Sequence, residues 1–258
     1  MARVLAIANQ KGGVGKTTTT LTLGASLGAL DRRVLVIDLD PHVSATIHLA
    51  YYPENLTGTA RDLFDFSKSD DQIWLDIIHS STRHRFDFVP SHTRLSDLEI
   101  DLGDRTDKGL LLRKRLEYIR SSYDYILLDC PPQMSVLLIN ALVAADLVVI
   151  PIQTDFLALH GLKLLFGTLG TLERGLNRPV HFRALATMYD RRTSACRRVL
   201  AMMQAKLGPR LFETVINMDT KFREASAVGK VLTDLAPNSR GAVEYLDFAK
   251  EIIRMEGV

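Results

Sequence analysis

Residues 4–30 combine three features that leave a chain like this little choice of fold. Val4-Leu5-Ala6-Ile7-Ala8 is a short apolar run with the length and composition of a buried strand. Lys11-Gly12-Gly13-Val14-Gly15-Lys16-Thr17-Thr18 follows, and Gly12, Gly13 and Gly15 permit the φ > 0 backbone that wraps amide N–H groups around an anion. From Thr17 the apolar positions Leu21, Leu23, Ala25, Leu27 and Leu30 predict a helix whose positive N-terminal end faces the loop. Strand, glycine loop and helix in this order are the setting in which G-x-x-x-x-G-K-[ST] holds phosphate. The match is loose at its first position, where Lys11 stands in place of glycine. Lys16 is expected at the β- and γ-phosphates and the Thr17 hydroxyl on Mg²⁺. Lys11 then brings a second cation to the same nucleotide, which points to an ATP switch built around a dimer.

Farther along, Arg33–Asp38, Tyr125–Asp129, Leu147–Pro151, His181–Thr187 and Glu213–Ile216 read as strands that alternate with helical stretches. This alternation predicts an α/β fold: one P-loop domain over residues 1–258, a mostly parallel twisted sheet with helices on both faces. Ligands then sit beyond the carboxyl ends of the strands. Residues 52–108 are more polar and less regular, and are expected as helices and loops beside the sheet. A net charge of +2 carries no global signal for a polyanion partner, and Cys130 and Cys196 fit a reducing compartment without a disulfide framework. No apolar run approaches the ~20 residues of a spanning helix, and Met1–Ala8 reads as a strand, not a leader. A soluble, cytoplasmic protein is expected.

Two carboxylate positions complete the nucleotide site. Tyr125-Ile126-Leu127-Leu128-Asp129 is an apolar strand ending in Asp, the Walker B arrangement in which the carboxylate serves Mg²⁺. Val34-Leu35-Val36-Ile37-Asp38-Leu39-Asp40-Pro41 ends another strand with two aspartates, and alternation places Asp38 and Asp40 on one side. One serves the Mg²⁺ shell while the other orients the attacking water.

Lys11–Thr18, Asp38–Pro41 and Asp129-Cys130-Pro131-Pro132 together resemble the ParA/MinD family of deviant Walker A ATPases. Asn140-Ala141-Leu142, Ala145-Asp146, Ile150-Pro151 and Ser239-Arg240-Gly241-Ala242 extend the resemblance over nearly the whole chain. The pattern is most similar to the short, Soj-like ParA branch, which lacks an N-terminal helix-turn-helix extension. The resemblance implies a cycle in which ATP closes two subunits face to face and Lys11 of each reaches the phosphates of the other. Gly12 lies in the close contact, Val14 belongs to the same loop, Thr18 meets the α-phosphate, Asp40 positions the hydrolytic water, and Asp38 and Asp129 serve Mg²⁺. A cation supplied in trans to the developing anion makes hydrolysis depend on assembly.

In ParA-like proteins the ATP dimer binds DNA without sequence preference, and a ParB-like or cargo-adaptor partner stimulates release. Arg191, Arg192, Lys206, Arg210, Lys221 and Arg223 are the candidate DNA contacts, drawn from a cation-rich stretch between Arg183 and Lys230. The implied location is cytoplasmic and nucleoid-associated. Arg113-Lys114-Arg115 reads instead as an exposed helix face. The implied cargo is a plasmid, a chromosome origin or a protein cluster.

The chain departs from the branch at two places. It has Asp40-Pro41-His42 where Asp-Pro-Gln is usual, and Asn217-Met218-Asp219 where Pro-Arg-Asn usually lies near the adenine. His42 either contacts the partner subunit or caps a turn, the turn being preferred. Asp-Pro-His followed by Tyr52-Pro53-Glu54 resembles the ParA-like proteins that position chemotaxis clusters. An iron–sulfur carrier needs more cysteine than the chain has, and no guanine-reading Asn/Thr-Lys-x-Asp run occurs. A MinD-like membrane switch needs a basic amphipathic tail, whereas Ala242–Met255 reads as a core-facing helix through Val243, Leu246, Ala249, Ile252 and Ile253. The alternative from another class is a switch that binds no DNA and regulates a protein partner.

Overall fold

The structure, a computed structural model, describes residues 1–80, 84–156 and 158–255. Among them seven strands form one sheet: β1 (Arg3–Ile7), β2 (Val34–Asp38), β3 (Asp87–Val89), β4 (Tyr125–Asp129), β5 (Leu147–Gln153), β6 (Phe182–Tyr189) and β7 (Leu211–Asn217). Their order is β3-β2-β4-β1-β5-β6-β7, and every neighbouring pair is parallel. The helices are α1 (Lys16–Gly28), α2 (Ser44–His48), α3 (Asp70–Ile77), α4 (Leu98–Leu102), α5 (Leu111–Ile119), α6 (Val136–Ala144), α7 (Ala158–Leu176), α8 (Ser194–Leu207), α9 (Lys221–Ala227), α10 (Leu232–Leu235) and α11 (Arg240–Arg254).

A parallel strand covered on both faces has no solvent side, so it reads as a continuous apolar run instead of an alternating one. The two-residue period then divides the core. Val4 and Ala6 of β1 pack on one face with Leu112, Leu116, Leu138 and Leu142 of α5 and α6. Leu5 and Ile7 pack on the other with Leu21, Leu23 and Leu27 of α1 and Tyr245, Phe248 and Ile252 of α11. Several residues of the family-like motifs are staples of this frame. Asn140 accepts the Leu112 N–H at 3.0 Å and donates to the Lys108 carbonyl at 2.7 Å, tying α5 to α6. Asp146 accepts the Val4 N–H at 2.8 Å and pairs with Arg120. Ser239 caps α11 through the Ala242 N–H, and a side chain at Gly241 would meet the Phe222 ring at 2.6 Å.

Three readings from sequence change. Residues 52–108 contribute an edge strand, β3, paired with β2; three residues are too few to show a period. Arg115 is buried, not exposed: it donates to the Leu63 carbonyl at 3.2 Å, contacts the Asp65 carbonyl and Asp70, and covers the Phe66 ring. Arg113 and Lys114 are exposed as expected. The final helix faces the core with Ala249 and Ile252 as expected and Ile253 packed beside them, but Ala242, Tyr245 and Phe248 complete that face and Val243 is exposed. The expected strands are otherwise present, with β5, β6 and β7 running farther toward their carboxyl ends.

Candidate functional site

β1 delivers the glycine loop to the carboxyl edge of the sheet, and α1 carries its backbone away from there. Gly13 and Gly15 adopt φ of 74° and 92°, conformations that a side chain would strain. Gly12 does not share the positive φ expected of it; a Cβ there meets nothing within 4 Å. Lys16 is buried, and its ammonium lies 3.5 Å from the Lys11 carbonyl, across the loop. The Thr187 hydroxyl of β6 donates to the Val14 carbonyl at 2.9 Å and braces the loop from the neighbouring strands. Lys11 is held differently. Its ammonium pairs with both carboxylate oxygens of Asp155, at 3.0 and 3.3 Å, just beyond β5.

The strand-end carboxylates converge. Register pairs Asp38 with Asp129 on β2 and β4, both fully buried. Asp129 accepts the Thr17 hydroxyl at 2.8 Å and the Thr20 hydroxyl at 3.1 Å. Asp38 accepts the Asp40 N–H at 3.0 Å on one oxygen, and the Thr46 N–H and hydroxyl at 2.9 and 2.7 Å on the other. Asp40 lies in the loop beyond the strand, where β alternation no longer applies. One of its oxygens accepts the His42 N–H at 3.0 Å and lies 2.8 Å from His42 Nδ1. The expected turn at His42 is present, and its ring engages Asp40. The hydroxyl and carboxylate oxygens of Thr17 and Asp129 are hard donors of the kind that Mg²⁺ takes beside substrate phosphates. Asp38 stands behind them, committed to Thr46 and Asp40.

Burial, reinforced by the neighbouring Asp129 charge, pushes the Asp38 carboxyl well above the usual carboxylate range. Burial first, then the Asp40 charge, raises Asp129, against the Thr17 hydrogen bond and Lys16. The folded chain therefore binds more protons than the unfolded chain between the ordinary carboxylate value and the raised one. This contribution to stability is fully present at low pH and is lost as the pH rises. In EDTA without nucleotide, the melting temperature is expected to fall between about pH 5 and pH 8. Asp38→Asn is expected to flatten that fall, which thermal melts across the pH range measure.

Beside the loop lies a cavity of about 470 Å³, lined by Gly15, Thr17 and Thr18 on one side and Ile216, Asn217 and Met218 on the other. Asn217 is fixed by Glu244, which accepts its main-chain and side-chain N–H groups at 2.7 and 2.6 Å. Met218 is half exposed and donates its N–H to the Tyr189 carbonyl at 3.0 Å. Met188 adds a wall of this cavity with φ of 52°, a strained backbone of the kind found at binding sites. Thr187, Met188, His48 and Asp155 escaped the sequence reading. Thr187, Met188 and Asp155 lie at or just beyond the carboxyl ends of β6 and β5, the position at which open sheets place site residues; nothing local marks His48.

The candidate DNA contacts divide into two groups. Arg191 and Arg192 precede α8, and Lys221 and Arg223 open α9 beyond the carboxyl end of β7. The Met218–Tyr189 hydrogen bond brings these two loops together, and Arg223 lines the cavity beside the glycine loop. Lys206 lies in the last turn of α8, about 20 Å along the helix axis. Arg210 precedes β7, over the Phe182 ring that begins β6. Arg192 is paired with Asp190 at 2.8 Å.

A family model described as an AAA domain matches residues 2–182. The chain is 38% identical to the sporulation initiation inhibitor protein Soj of Bacillus subtilis over 98% of both chains. It is 37% identical to the chromosome partitioning protein ParA of Caulobacter vibrioides, over 98% of this chain and 95% of that one. Among solved structures it resembles cobyrinic acid a,c-diamide synthase from Mycobacterium smegmatis with bound ADP and magnesium, at 30% identity and a TM-score of 0.80. That match covers 98% of this chain and 95% of the other. The glycine loop with its additional lysine, the paired strand-end aspartates and these relatives together establish that the chain belongs to the ParA/MinD family of deviant Walker A ATPases, among the Soj-like partition proteins.

Proposed function

We propose that two copies of this protein close face to face over ATP and Mg²⁺, that the ATP dimer binds DNA without sequence preference, and that a partner protein triggers slow hydrolysis and release. The observation that carries this reading is the division of labour between two lysines. The Lys16 ammonium turns to the Lys11 carbonyl within its own loop, while the Lys11 ammonium is held at that loop's rim by Asp155. Lys11 is thereby available to phosphates bound by a second subunit. Mg²⁺ held by Thr17 and Asp129 would neutralise the β- and γ-phosphate charge. Asn217 and Met218 face the base, Thr18 the α-phosphate, and Asp40 orients the attacking water.

Gly12 allows a direct check of pairing. Because a Cβ at this position meets nothing in its own chain, Gly12→Val is expected to fold and to bind ATP. Pairing is expected to fail, because the added bulk projects into the partner. Size-exclusion chromatography with ATP measures this, and an ATP-dependent dimer in the variant would remove Gly12 from the interface.

The DNA surface is placed on Arg191, Arg192, Lys221 and Arg223, on the same sheet edge as the nucleotide, with Lys206 and Arg210 as outlying contacts. Affinity for duplexes of unrelated sequence, measured with and without ATP across a salt series, tests it. ATP-dependent binding that weakens steeply with salt is expected, and each Arg→Ala or Lys→Ala change lowers the log–log slope by about 0.9. Absence of ATP-dependent binding at low salt would leave the switch that acts on a protein partner alone. With DNA as a matrix, the dimer would place a cargo and associate with the nucleoid.

A further inference from the structure

The turn after β2 holds one contact that pairing, DNA attachment and Mg²⁺ binding do not require: the imidazole of His42 against the carboxylate of Asp40. The Val43 N–H closes the turn on the Asp40 carbonyl at 2.9 Å, and the Ser91 hydroxyl holds the same carbonyl at 2.7 Å. Val43 adopts φ of 53°, a left-handed conformation rare for a β-branched residue. That conformation turns the chain out of the loop and into α2. The two side chains differ sharply in exposure, 9% for Asp40 and 60% for His42. His42 also lines a separate cavity of about 460 Å³, with Glu99, Gln133 and Met134. It stands between the buried carboxylate and open solvent.

From this geometry we infer that His42 is a positioning residue for ATP hydrolysis, holding one oxygen of the Asp40 carboxylate so that the other is free for the attacking water. The inference rests on the reading of Asp40 given above. A carboxylate only accepts, so Nδ1 carries the proton and donates it, together with the His42 main-chain N–H, to a single Asp40 oxygen. The second oxygen remains available to accept from water.

Three variants compared with wild type test this by steady-state ATP turnover and fluorescent-nucleotide titration: His42→Gln, His42→Ala and Asp40→Ala. His42→Gln keeps a side-chain amide donor, so its kcat should stay within about threefold of wild type. His42→Ala should lower kcat about tenfold with KM and nucleotide affinity unchanged. A kcat in His42→Ala within about twofold of wild type, or no recovery of kcat in His42→Gln, overturns the inference. Wild-type turnover matched by Asp40→Ala would instead overturn the assignment of Asp40 itself.

Discussion

Lys11→Ala is expected to bind ATP and Mg²⁺ normally and to lose partner-stimulated hydrolysis altogether. The Lys11 ammonium is bound to Asp155, and Lys11 meets Lys16 through its main-chain carbonyl. Truncating it therefore removes nothing that holds the cradle in shape. On the proposed reading, what it removes is the charge presented to a second subunit's phosphates. A cation inserted in trans at the transferring phosphoryl group is worth on the order of 10³-fold or more in rate. Fluorescent-nucleotide titration and phosphate release with and without the activating partner separate the two effects. Unchanged stimulated turnover would exclude Lys11 from the mechanism. The same ion pair makes a companion case: Asp155 and Lys11 are each about a third exposed, so the bridge is screened and easily exchanged. Asp155 is therefore a resting place for Lys11 and not a lock.

Asp40→Ala is expected to lower turnover by about 10²- to 10⁴-fold while ATP still drives pairing. The hydrogen bonds of Asp40 run to its own turn, to Ser91 and to the Asp38 carboxylate. The substitution leaves Asp129 and Thr17 in place for Mg²⁺. A dimer that accumulates with ATP and does not dissociate is the expected signature in light scattering, with single-turnover hydrolysis giving the rate. Turnover near the wild-type value would move the water-positioning role to another group.

The nucleotide site was legible in the sequence wherever its parts are local. Gly13 and Gly15 announce left-handed backbone by composition, and Asp129 announces itself by ending an apolar strand. The partners of these residues were not legible. Asp155 reaches Lys11 across 144 positions, and Thr187 reaches Val14 across 173, so no spacing rule joins them. The pairing of Asp38 with Asp129 depends on β2 lying beside β4, although β1 precedes and β3 follows it in the chain. His42 shows the middle case. Its turn follows from Asp-Pro, but no spacing rule announces the ring's contact with Asp40.

Local chemistry in the sequence determined the strands, the phosphate loop, its two lysines and the edge of the sheet that carries the site. Periodicity, glycine content and strand-ending acids act over a few residues, and that suffices to specify them. The tertiary structure alone decided that β3 joins the sheet, that Arg115 is buried as a bolt, and that Asp155 holds Lys11. It also separated cations that lie together in sequence, because α8 carries Lys206 about 20 Å from Arg191 and Arg192. These outcomes follow from strand order and helix direction, which burial of two faces of one sheet sets and which no short window of sequence encodes.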